Sequence, residues 1–267
     1  MEPMRLRMVS VRSTVGDLGG NTARILDSCR SAASDDVDLV CFPELSVTGY
    51  AMPDSRSFAS DESVLGPIVD ASSELGISVC CGYVDGGGRI AQALIEGGRI
   101  VGTYRKTHLG EREADAMVPG DSLPVFKLGK ANVAIQICWE AHFPEITGTY
   151  ALDGADIVLM PFASGLTGER RQSSWDRVLP ARAYDNTVFV AACNAWGDNG
   201  RGTVLGGGAA VYDVRGSKMA SAEGECEVTV DLDPSQMDRI RAEGYESMRD
   251  VYFLDKRRPE LYGRLVR

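Results

Sequence analysis

The chain has 267 residues, 44% hydrophobic and 25% charged, the ordinary composition of a globular protein with a substantial core. Its net charge of −10 repels phosphate backbones, and its longest basic cluster is Lys256-Arg257-Arg258, which argues against nucleic-acid binding. No apolar run approaches the roughly 18 residues of a membrane helix, and the start, MEPMRLRMVSV, lacks the apolar stretch of a signal peptide.

That start alternates apolar and basic residues and predicts a first strand over Leu6–Val11. An amphipathic helix follows over Asn21–Ser34, then a strand over Asp38–Phe42. Val64, Leu65, Ile68, Val69 and Leu75 recur at three- and four-residue steps and predict a helix over Glu62–Leu75. A strand over Ile77–Tyr83 comes next, and then Ala91–Glu96 and Arg99–Arg105 flank Gly97-Gly98, a two-residue hairpin signal. Further strands are expected over Val133–Cys138, Ile157–Met160 and Thr187–Cys193, with a helix beginning near Pro144. Ala209–Asp213 and Ser217–Ala222 flank a second turn at Val214-Arg215-Gly216. The tail after Arg249 has no core pattern and reads as a peripheral or interface segment.

The alternation of strands and helices indicates an α/β fold. VDLVCFPE, a helix, ISVCCGYV and a hairpin in the first half are matched by ADIVLMPFA, a helix, TVFVAACN and a hairpin in the second. This internal repeat predicts two similar mixed sheets related by a pseudo-twofold, packed face to face and covered outside by helices.

Seven cysteines, an odd number with no CxxC spacing, point to a reducing cytoplasm rather than a disulfide framework. Only two histidines exist, His108 and His142, so a zinc site has little to draw on and no metal is expected. Gly86-Gly87-Gly88-Arg89-Ile90-Ala91 satisfies a dinucleotide fingerprint, but a hairpin follows where a helix is required and Lys106 stands where an acid belongs. A Cys–His hydrolase fares no better, because His142 lies only four residues after Cys138 whereas such histidines come from distant segments.

Reactive groups in open α/β sheets gather beyond the carboxyl ends of strands. Three such ends carry them here: Glu44 after DLVCFP, Lys106 after RIVGTYR, and Cys138 closing NVAIQIC. Alone, each has an ordinary reading, as a loop acid, a surface cation and a small buried hydrophobe. Glu44 lies between Pro43 and the Gly49-Tyr50 turn, where a carboxylate is a candidate for a raised pKa. Strand alternation sends Arg105 and Lys106 to opposite faces. A thiol at a helix N-terminus is expected to be pushed toward the thiolate. Together they supply a base, a cation and a nucleophile.

FPELSVTGY around Glu44, YRKTH around Lys106 and CWEAHFPE around Cys138 resemble the three motifs of the nitrilase superfamily of carbon–nitrogen hydrolases, in the same order and spacing. READAMVPGD around Glu113, GADIVLMP, ARAYDN and RRPELY extend the resemblance over nearly the whole chain. It implies a four-layer α-β-β-α sandwich and a single domain over 1–267, with a core over about 4–247 and a tail over about 248–267 at a homodimer interface. It implies Cys138 as nucleophile, Glu44 as general base, Lys106 and the Trp139 amide as oxyanion partners, and Glu113 as a glutamate positioning the triad. Tyr50, His142, Phe162 and Ala163 are expected to line the substrate pocket. The expected partner is a small amide or nitrile, with no metal or organic cofactor.

Glu140 and His142 stand where small amidases of the family often carry aspartate and arginine, which argues against N-carbamoyl amino acids as substrates. The Cys-Trp-Glu run resembles true nitrilases, whereas Phe143-Pro144-Glu145 and the short chain resemble amidases; the amidase reading is preferred. An inactive scaffold of the same fold is the non-enzymatic alternative, and Glu44, Lys106, Glu113 and Cys138 standing together argue against it.

Overall fold

The computed structural model describes residues 1–242 and 251–266. The expected boundary between core and tail, at 247–248, lies outside them. In chain order the elements are β1 (Met4–Ser10), α1 (Leu18–Ser34), β2 (Leu39–Cys41), α2 (Gly66–Leu75), β3 (Ser78–Val84), β4 (Ile90–Glu96), β5 (Arg99–Arg105), α3 (Glu111–Ala114), β6 (Phe126–Lys127), β7 (Asn132–Ile135), α4 (Pro144–Leu152), β8 (Ile157–Phe162), α5 (Gly168–Asp176), α6 (Leu179–Asn186) and β9 (Phe189–Asn194). A small hairpin, β10 (Trp196–Asp198) and β11 (Val204–Gly206), precedes β12 (Ala209–Tyr212), β13 (Lys218–Ala222), β14 (Cys226–Leu232) and α7 (Ser235–Ala242).

Two six-stranded sheets result, ordered β14-β1-β2-β3-β4-β5 and β13-β12-β9-β8-β7-β6. In the first, β1, β2 and β3 run parallel and β4 and β5 add antiparallel. In the second, β7, β8 and β9 run parallel and β12 and β13 add antiparallel. Each parallel edge is closed by one antiparallel strand, β14 on β1 and β6 on β7. The pairing order of one half is therefore that of the other, as the internal repeat implies.

Period-two alternation divides every central strand between two buried faces. Leu6, Met8, Leu39, Cys41 and Leu94 of the first sheet meet Ile135, Leu159, Ala191 and Val211 of the second in one shared core. The alternate residues, such as Val40, Val79 and Ile95, pack against Ile25, Cys29 and Ile68 of α1 and α2. On the opposite outside, Val158, Met160 and Val190 meet Ile146, Tyr150, Trp175 and Leu179 of α4, α5 and α6. Truncating a side chain such as Leu159 to alanine in so closed a layer costs about 2–5 kcal/mol. The order of layers is α-β-β-α.

Three elements differ locally from expectation. The 62–75 helix is split: a 3-10 turn over Glu62–Leu65, capped by Asp61 accepting the Ser63 N–H, gives way to α2 where Pro67 occupies the first turn. The strand expected from Thr187 begins at Phe189, because Thr187 adopts φ 51° and its N–H closes α6 on the Ala183 carbonyl. The strand expected to end at Cys138 ends at Ile135, and Cys138 opens a 3-10 turn over Cys138–His142. None of the helices among the described residues is long and apolar enough to cross a membrane.

Candidate active site

Glu44 follows β2 on a turn wedged against β3. Phe42 N–H donates to the Cys80 carbonyl, Val47 N–H to the Gly82 carbonyl, and Gly82 N–H to Ser46 Oγ. The turn passes so close that a Cβ at Gly82 would lie 2.4 Å from the Leu45 nitrogen. Leu45 takes φ 52°, a left-handed conformation that reverses the chain and leaves the Glu44 side chain fully buried.

Lys106 continues from β5. Its N–H donates to the Ile90 carbonyl and its carbonyl accepts from Gly120 N–H. Arg105 goes the other way and pairs with Asp85, as strand alternation requires. Lys106 Nζ, completely buried, donates to Glu44 Oε1 and to Glu113 Oε1, both at 2.8 Å. Glu113, on α3, is itself held: Oε2 accepts from Gly110 N–H at 2.8 Å and Oε1 from Tyr50 OH at 2.8 Å.

Cys138 comes from the second sheet. Gln136 N–H still donates to the Leu159 carbonyl of β8, after which the chain turns and Cys138 takes φ 50°. This strained elbow lifts a half-buried Cys138 out of the strand toward the Glu44–Lys106 pair. Its thiol lies beside the Glu44 carboxyl group, within the influence of the Ala163 N–H. Glu44 Oε2 has no hydrogen-bond partner among the described residues.

Burial pushes the Glu44 carboxyl group up to about 7, and Glu113 adds to the rise while the Lys106 ammonium opposes it. Burial alone would pull Lys106 down, but Glu44, Cys138 and Glu113 outweigh it and hold the ammonium above the ordinary lysine range. The Cys138 thiol is pushed up to about 12 by burial and by the Glu44 and Glu113 carboxylates. This runs against the expectation of a thiol ionised by a helix end: burial and the neighbouring carboxylates favour the neutral Cys138 thiol. Its deprotonation needs a base, and Glu44 is beside it.

Glu140 has a part that its sequence position did not disclose. Its Oε1 accepts from Thr107 N–H (2.8 Å), Thr107 Oγ1 (2.7 Å), His108 N–H (3.1 Å) and Tyr104 OH (2.7 Å), and its Oε2 accepts from Ile137 N–H (2.7 Å). One buried carboxylate thus joins the segment after Lys106 to the segment before Cys138. Tyr50 touches Glu113, and Phe162 and Ala163 are buried at the end of β8. Trp139 and His142 are exposed on the 3-10 turn, their ring centroids 5.5 Å apart.

The arrangement unites a neutral thiol, a carboxyl group that titrates near neutrality and a fixed ammonium, the requirements of nucleophilic acyl transfer. The family profile described as carbon–nitrogen hydrolase matches residues 5–242. The chain is 26% identical to an (R)-stereoselective amidase of Pseudomonas sp., over 97% of this chain and 93% of that one. It is also 26% identical to a probable nitrilase of Schizosaccharomyces pombe, over 88% and 87%. Among solved structures, an amidase from Nesterenkonia sp. AN1 superposes with a TM-score of 0.84 at 26% identity, covering 98% of this chain and 96% of that one; in it the acetamide moiety of fluoroacetamide is added covalently at the active-site cysteine. The chain belongs to the carbon–nitrogen hydrolase family, within the nitrilase superfamily.

Proposed function

We propose that this protein hydrolyses an amide to an acid and ammonia or an amine through a thioester on Cys138. The observation that carries the reading is the fully buried Lys106 ammonium between the Glu44 and Glu113 carboxylates, with the Cys138 thiol beside Glu44. Glu44 takes the thiol proton as sulfur attacks the amide carbon. The Lys106 ammonium and the Trp139 N–H hold the oxyanion, and loss of one such donor typically costs about a hundred- to thousandfold. Collapse breaks the C–N bond, and Glu44 gives its proton to the departing amine. Water then enters, Glu44 takes one of its protons, and the resulting hydroxide cleaves the thioester to release acid and return the proton to sulfur. Glu113 fixes Lys106 throughout. The similar amidases of Pseudomonas and Nesterenkonia support this reading over nitrile hydrolysis.

A single domain with its tail at a homodimer interface belongs to the same proposal. Leu265 of the tail and Leu152 of α4, both exposed, border an apolar groove of about 770 Å³, and Leu261 is exposed in the same tail. A second copy of the chain is the partner proposed to cover it.

The test is acid quenching of reactions with mixed amides and nitriles, followed by intact mass and peptide mapping. An acyl mass on Cys138 together with ammonia release from the amides is expected. Ammonia release from nitriles alone, or an acyl group on another cysteine, would overturn the proposal.

A further inference from the structure

Arg171 lies on α5 with 5% of its surface exposed. Its guanidinium stacks 5.0 Å from the centroid of Phe162 and 4.9 Å from that of Trp175. Among the described residues the guanidinium makes one hydrogen bond, from Nη2 to Ser174 Oγ at 2.9 Å. Nε is buried without an acceptor, and among the described residues no carboxylate pairs with the guanidinium. The Trp175 Nε1–H against which it stacks is also buried and unpartnered. Buried guanidinium groups ordinarily find a carboxylate, because a desolvated and uncompensated cation is costly.

The place of this cation in the fold gives the missing acceptor a source. Phe162 ends β8, and Phe162 and Trp175 belong to the buried cluster against which Cys138 packs. Burial lowers the affinity of Arg171 for its proton and Cys138 opposes that effect, so the two groups lie within each other's field. Lys106 already serves the charge that develops at the thiol and the carbonyl. A stack made only for packing would not leave both the Arg171 and Trp175 donors unmet.

We infer that Arg171 is a specificity-determining residue that receives a carboxylate carried by the substrate, so that the preferred substrates are monoamides of short dicarboxylic acids. This rests on the amidase reading above. The bidentate fork of an arginine suits a carboxylate, and its seat on Phe162 and Trp175, in the cluster against which Cys138 packs, sets a short separation between that carboxylate and the scissile carbonyl. A neutral amide would leave the cation uncompensated, and sites built around a buried polar partner discriminate strongly against analogues that lack it.

The probes are succinamate and its neutral counterpart butyramide, assayed with the wild type, Arg171→Met and Arg171→Lys, each checked for folding by thermal melting. The wild type is expected to favour succinamate by at least roughly tenfold in kcat/KM. Arg171→Met should bring that ratio toward unity, chiefly through KM, and Arg171→Lys should recover part of it. A merely structural arginine would lower both substrates in step; a ratio unchanged by Arg171→Met, or a wild type that favours butyramide, overturns the assignment. Calorimetric titration of Cys138→Ala with both compounds does not depend on turnover. Preferential binding of succinamate, lost in Cys138→Ala/Arg171→Met, supports the anion site even if the wild type cleaves neither amide, an outcome that would count against the amidase reading instead. Succinamate binding no tighter than butyramide sinks the inference.

Discussion

Glu44 divides its two oxygens between tasks: Oε1 holds the Lys106 ammonium, and Oε2 is left without a partner beside the thiol. Because burial pushes its carboxyl group up to about 7, Glu44 as the proposed base would be protonated below that value and competent above it. With the thiol pushed up to about 12, ionisation of Cys138 by itself adds nothing across the neutral range. The expected pH profile of kcat/KM therefore falls on the acid side with a midpoint near 7. Glu44→Gln should abolish that limb and lower the rate by about a hundred- to ten-thousandfold. A midpoint in the ordinary carboxylate range, measured on folded enzyme, would show that another group takes the proton. The positions of Glu44, Lys106 and Cys138 were legible in the sequence because chain reversals leave local marks, Pro43 and Gly49 around one and Pro144 after another. The direction of the Cys138 shift was not, since it depends on how deeply the sulfur is buried and how closely Glu44 and Glu113 approach it. Arg171 was missed for a related reason. GERRQSSW reads as a solvated helix face until Phe162 and Trp175 are seen to close over one of its two arginines.

The segments that bear the site are fastened by hydrogen bonds rather than by sequence proximity. Glu140 accepts four bonds on one oxygen from Tyr104, Thr107 and His108, and one on the other from Ile137, and so joins the end of β5 to the turn after β7. Glu140→Gln keeps the shape but replaces one accepting oxygen with a donor facing N–H groups. Unfolding in urea should show a loss on the order of 3 kcal/mol, and kcat should fall as the spacing between Lys106 and Cys138 relaxes. Stability within about 0.5 kcal/mol of wild type would place the carboxylate among surface-like substitutions and remove it from this role. Strand order, both hairpins and the paired sheets were readable because alternation and Gly-rich turns are local signals. The splitting of the 62–75 helix and the late start of β9 were not, because they turn on cap geometry at Asp61 and Thr187.

At the scale of the whole molecule, the tail both docks and protrudes. Val251 is buried and Phe253 packs on Tyr184 of α6 with ring centroids 5.4 Å apart, whereas Leu261 and Leu265 remain about two-thirds exposed at 65% and 66%. Exposed leucines bordering an apolar groove are costly for a free monomer. Light scattering at micromolar concentration is expected to give twice the 28.7 kDa chain mass, and Leu261→Ser with Leu265→Ser should shift it toward the single chain. A wild-type protein found only at 28.7 kDa would refute the dimer.

Glu44 and Lys106 stand on one sheet and Cys138 on the other, and the seam between those sheets carries its own chemical markers. Cys41 and Cys80 line it from one side and Cys193 from the other, with the Cys193 thiol donating across it to the Cys41 carbonyl at 3.6 Å. In a denaturant series, a thiol reagent should find Cys138 and Cys226, both half-buried, before the seam opens, so turnover is followed on unlabelled enzyme at each denaturant concentration. It should then label Cys41, Cys80 and Cys193 together, at the denaturant concentration where turnover is lost. Labelling of the three well before inactivation would mean that the halves can part with the site intact. A site assembled from both halves leaves no room for a partly opened enzyme that still works, so the protein would behave as a latch, either closed and active or open and inert.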